Sequence, residues 1–107
     1  MDIKNDFENY EKTVQAKIKI EQIKKTINLI ITSNIEYEFR TTIYPKHLDT
    51  KNCEEIAKYL GQEKAQNYVL QQYNMVENLD VIPYSKEKLE QICSICNKYI
   101  NTKLRGI

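Results

Sequence analysis

Two strand-like runs held apart by a helical stretch limit how this chain can fold more than any other feature. Residues 36–44, EYEFRTTIY, are aromatic and β-branched, and residues 67–73, NYVLQQY, read the same way. Between them Cys53, Ile56, Ala57 and Leu60 recur at helical spacing. Two strands joined through a helix of this length run parallel, with a right-handed crossover. The expected class is therefore α/β, with about three parallel strands and flanking helices.

The rest of the chain fits that pattern. Phe7, Tyr10 and Val14 mark a short first helix. Ile20, Ile23, Ile27, Ile30 and Ile31 form a longer amphipathic stripe, expected to end at Asn34 in a left-handed turn. Asp49 or Thr50 caps the next helix, and Gly61 is expected as the residue just past its end. A polar loop then runs to Pro83. Ser85 caps the last helix, whose stripe is Leu89, Ile92, Cys93, Cys96 and Ile100. The tail KLRGI can add a short strand, and the opening MDIK another. At 107 residues the whole chain, 1–107, reads as one domain.

A net charge of +1 gives no electrostatic reason to expect a nucleic acid or a membrane surface as partner. No apolar run approaches the roughly 20 residues of a membrane span, and the N-terminus does not read as a signal peptide. The expected location is cytoplasmic. Three cysteines, an odd number, suit a reducing compartment better than a disulfide scaffold.

Chemistry is concentrated on the first strand. Parallel strands are usually apolar on both faces. Here Tyr37, Phe39, Thr41 and Ile43 share one face, while Glu38, Arg40 and Thr42 share the other. Either this strand has one wet face, or it lines a barrel lumen that holds a polar ligand. In the second case Arg40 is suited to clamp a carboxylate. In the next strand only one of Gln71 and Gln72 can face such a lumen, and Asn74 continues the Gln72 side. Cys93 and Cys96 are spaced as half of a metal or redox site, but they sit inside a helical stripe and read as core. His47, the only histidine, reads as a turn residue.

Taken together, EYEFRTTIYPKH, YVLQQYN, PYSKEKLEQI and the closing LRG resemble the C-terminal half of radical-SAM activating proteins. The nearest group is that of anaerobic ribonucleoside-triphosphate reductase activation, with pyruvate formate-lyase activating enzymes related more distantly. The opening Asp-x-Lys of MDIK is similar to a fourth-strand motif of that family. The resemblance implies half of a partial (β/α)6 barrel. It also implies S-adenosylmethionine and a [4Fe–4S] cluster in the parent protein, a 5′-deoxyadenosyl radical, and a glycyl-radical enzyme as partner. By the same resemblance Asp2, Lys4 and Arg40 would contact the cofactor, and the sixth-strand polar position falls near Gln72 or Asn74. The family's C-x-x-x-C-x-x-C cluster motif and Gly-Gly-Glu motif are absent from this sequence, so cluster ligands and independent catalysis are not expected of this chain. Exposed strand edges of such a half-barrel invite a homodimer. The alternative is a small non-catalytic interaction module that reuses half a barrel. A thiol-redox role for Cys93 and Cys96 is a third reading.

Overall fold

Side-chain caps set the starts of two helices. Asp49 and Asn52 form a reciprocal capping box at the N-terminus of one helix, and the Ser85 hydroxyl accepts from the Lys88 N–H at another. The computed structural model describes residues 1–74 and 80–107. Its elements are α1 (Tyr10–Val14), α2 (Ile20–Thr32), β1 (Phe39–Ile43), α3 (Thr50–Gln62), β2 (Asn67–Gln72), α4 (Lys86–Cys96) and β3 (Asn101–Arg105). The strands form one parallel sheet in the order β1-β2-β3. Part of the loop expected before Pro83, residues 75–79, lies outside the described residues.

The N-terminal residues extend the sheet beyond β1. Asp2 bridges Arg40 in parallel fashion. The Ile3 N–H donates to the Arg40 carbonyl at 2.7 Å, and the Arg40 N–H donates to the Met1 carbonyl at 2.9 Å. The spatial order thus follows the chain order from residue 2 to β3.

One face of the sheet is packed. Phe39, Thr41, Ile43, Tyr68 and Leu70 are buried there against Ile27 of α2, Cys53, Ile56, Ala57 and Leu60 of α3, and Leu89, Ile92 and Cys96 of α4. A chain of hydrogen bonds runs beneath it. Tyr68 Oη donates to Thr41 Oγ1 at 2.6 Å, and Thr41 Oγ1 donates to the Ile3 carbonyl at 2.8 Å. These bonds satisfy two buried hydroxyls and pin the N-terminal segment to β1 and β2. On the other face Arg40 and Thr42 are exposed.

Three local expectations are corrected. Residues 36–38 precede β1 rather than belonging to it. Asn34 is not left-handed; α2 ends at Ser33, which is extended and donates both its N–H and its hydroxyl to the Ile30 carbonyl. Gly61 lies within α3, and the left-handed residue after the helix is Lys64, at φ 65°. A Cβ at Gly61 would lie 2.4 Å from the Tyr99 carbonyl oxygen, so the glycine permits close approach of another chain segment. Among the described residues no helix is long and apolar enough to cross a membrane.

Candidate functional site

Residues in register on parallel strands project from the same face. On the face that the helices leave open, one row is Asp2, Arg40, Val69 and Lys103. The next row is Thr42, Gln71 and Arg105, with Lys4 beside it two residues beyond Asp2. Below them Asn101 Nδ2 donates to Asn67 Oδ1 at 3.0 Å.

The charges on this face are arranged unevenly. Arg105 grips Glu38 with both guanidinium nitrogens, at 2.7 and 2.9 Å. That bidentate pair joins the residue before β1 to the end of β3, on either side of β2, where Val69 is only 5% exposed. The Arg105 hydrogen bond, more than the nearby Arg40 charge, holds the Glu38 carboxyl below its usual range. Lys4 Nζ pairs with Asp2 Oδ2 at 2.7 Å. Asp2 Oδ1 is buried and has no hydrogen-bond partner among the described residues. Among the described residues, no carboxylate lies within ion-pair distance of Arg40 or Lys103.

The structure brings together three of the five residues expected at a cofactor site: Asp2, Lys4 and Arg40. Gln72 is placed differently. It is in register with the buried Ile43, on the helix-packed face, and its Nε2 lies 3.5 Å from the Tyr84 carbonyl. Gln71 occupies the Arg40 face instead. Asn74 is exposed, two residues beyond the end of β2.

At the C-terminal end of β1 and β2 a cavity of about 390 Å³ is lined by Lys4, Thr13, Thr42, Tyr44, His47, Leu48 and Tyr73. The Tyr44 ring meets His47 at 5.1 Å and Tyr73 edge-on at 4.8 Å between centroids. Open α/β sheets place ligands at the carboxyl ends of their strands, and Lys4 belongs both to this cavity and to the open face. The cavity was not read from the sequence, which placed Tyr44 and Tyr73 inside the strand runs, whereas each directly follows the last residue of its strand. Lys103 and Arg105 were harder to see, since only the β2–β3 register aligns them with Arg40.

Burial pushes the Cys53 thiol up to about 12 and raises Cys96 as well. Cys93 is half-buried and also raised by desolvation, with its Sγ 3.4 Å from the Thr102 carbonyl. Metal ligation and redox chemistry use the thiolate, and burial works against the thiolate at all three cysteines. Among the described residues no group of three or more His, Cys, Asp or Glu could hold a metal ion.

No protein-family model and no solved structure matches the chain. It is similar to a protein of Methanocaldococcus jannaschii named as a candidate glycyl-radical enzyme activating enzyme. The two are 32% identical over 117 aligned positions, which take in 100% of this chain and 48% of the relative. The chain thus spans about half the length of the curated relative it matches, and it is related to that protein along its whole sequence.

Proposed function

We propose that this chain corresponds to the C-terminal half of a radical-SAM activase barrel, of the kind that acts on a glycyl-radical enzyme. The observation that carries the reading is a parallel sheet whose helices cover one face, leaving Asp2, Lys4 and Arg40 together on the other. A doubly wound sheet is covered on both faces, whereas the wall of a barrel keeps one face for its lumen. The Methanocaldococcus relative supports the same kinship. In its finer form the reading takes anaerobic ribonucleotide reductase as the target enzyme of the parent protein and a cytoplasmic setting.

S-adenosylmethionine fits this face in part. Asp2 Oδ1, buried and without a partner, needs a donor such as an amine or a hydroxyl. Arg40, exposed and with no carboxylate within ion-pair distance among the described residues, is suited to a carboxylate group. Lys4 stands between them and the cavity at the strand ends. S-adenosylmethionine bound there would supply radical chemistry to the parent protein, with Asp2, Lys4 and Arg40 holding and orienting it. Among the described residues no group of three or more His, Cys, Asp or Glu could hold the iron–sulfur cluster, and no step is assigned to these residues beyond binding and orientation.

Isothermal calorimetry with S-adenosylmethionine tests the site. The expected result is weak, submillimolar-to-millimolar binding that is lost in Arg40→Ala. Tight binding that survives Arg40→Ala would overturn the assignment of Asp2, Lys4 and Arg40.

A further inference from the structure

The open face holds a charge pattern that this chain does not complete. Arg40 and Lys103 stand in register on either side of Val69, two strand spacings or about 10 Å apart. Both are exposed, and among the described residues neither has an ion-pair partner. The carboxylates on the same face are already engaged, Glu38 by Arg105 and Asp2 by Lys4. Four cations therefore face two carboxylates.

We propose that this face docks an extended acidic segment of a partner polypeptide, with Arg40 and Lys103 as its two anchors. Charge complementarity selects that occupant. A second copy laid face to face would bring two cationic surfaces together. A single small anion offers one charged group to two anchors whose backbones are about 10 Å apart, and competition by inorganic phosphate distinguishes it from a peptide. An extended chain carries same-side residues about 7 Å apart, and the long stems of Arg and Lys close the remaining distance. Thr42, Gln71, Asn67 and Asn101 give the segment polar groups to rest on, which suits a peptide better than an apolar helix. The proposal shares the open face with the activase reading but needs no cofactor. Binding is therefore measured without S-adenosylmethionine, and either reading can fail alone.

The probe is a fluorescein-labelled peptide of alternating glutamate and alanine, titrated with the whole chain by fluorescence anisotropy at low ionic strength. Arg40→Gln and Lys103→Gln are each expected to weaken binding about two- to fivefold, the size of one exposed charge pair. The double variant should combine the two losses, and Lys98→Gln, exposed beyond α4, should bind as the parent does. Thermal melts check that the variants fold, and Lys103→Glu serves as a second variant should either glutamine variant melt early. Affinity retained in the double variant, an equal loss in Lys98→Gln, or equally effective competition by inorganic phosphate would each overturn the proposal.

Discussion

Gly61 shows how one atom can reverse a propensity. Replacing glycine by alanine inside a helix ordinarily stabilises it by about 0.5–1 kcal/mol. At Gly61 the new Cβ would stand 2.4 Å from a backbone oxygen, that of Tyr99, which cannot swing aside as a side chain would. Gly61→Ala is therefore expected to cost about 1–3 kcal/mol, read as a lower denaturant midpoint with an unchanged slope. A gain in stability would show that α3 and the segment after α4 separate easily. The sequence offered Gly61 only as a helix terminator, because the close approach depends on a residue 38 positions away. The cysteines were more legible, since their spacing alone placed them in a helical stripe. They also carry a pH dependence. In the unfolded chain these thiols ionise near the ordinary value of 9.0, while burial holds Cys53 near 12 and keeps Cys96 protonated as well. The folded state then binds more protons above pH 9, so its stability is complete below that pH and falls as pH rises further. Urea midpoints between pH 8 and 11 should decline, and less steeply in Cys53→Ala. In the native state Cys53 and Cys96 should resist iodoacetamide, with Cys93 the first to react; fast labelling of Cys53 would contradict the burial.

At the scale of elements, the same side chain ends a helix and guards a strand. Asn97 follows the last residue of α4, and its Nδ2 donates to the Cys93 carbonyl and to the Thr102 carbonyl, both at 3.0 Å. Its Oδ1 accepts from the Thr102 N–H at 2.9 Å. Thr102 therefore turns its backbone groups toward Asn97, which takes the place of a neighbouring strand at the outer edge of β3. The opposite edge is treated in a similar way, since the Lys4 N–H donates to Tyr10 Oη at 3.3 Å. Removing the Asn97 amide leaves the Thr102 N–H without its acceptor and leaves the Thr102 carbonyl only the weaker Cys93 Sγ contact at 3.4 Å, so Asn97→Ala should cost about 1–3 kcal/mol; a thermal midpoint unmoved within a degree would show that water replaces the clamp at no cost. Helix stripes and caps were readable from periodicity and from Asp49 and Ser85, because those signals are local. The Asn97 clamp was not, because nothing in the spacing of Asn97 and Thr102 says that a turn will bring them together. Gln72 illustrates the same limit. Alternation showed that only one of two glutamines could join Arg40, and the β1–β2 register selected Gln71.

For the molecule as a whole, the question is what a parallel sheet with one bare face and two edges does in solution. A half-barrel suggests pairing through the edges, and unpaired edges do invite it. Here they are blunted: Asn97 occupies β3 at Thr102, and Tyr10 occupies the N-terminal segment at Lys4. By the alternation of strand backbone groups, Asp2 and the Lys4 carbonyl on one side and Leu104 on the other remain turned outward among the described residues. The bare face opposes self-pairing for a different reason, its excess of positive charge. The blunted edges and the positive face both disfavour the homodimer implied by an isolated half-barrel. Sedimentation velocity at about 10–100 µM should give a single species of monomer mass in low salt, and Asn97→Ala should shift part of the material to dimer by freeing the Thr102 edge. A wild-type dimer that persists in high salt would mean that the remaining edge groups suffice. A dimer that forms only as salt screens the face would instead assign the contact to the surface carrying Arg40 and Lys103, and would make a second copy a competitor for the acidic segment proposed to bind there.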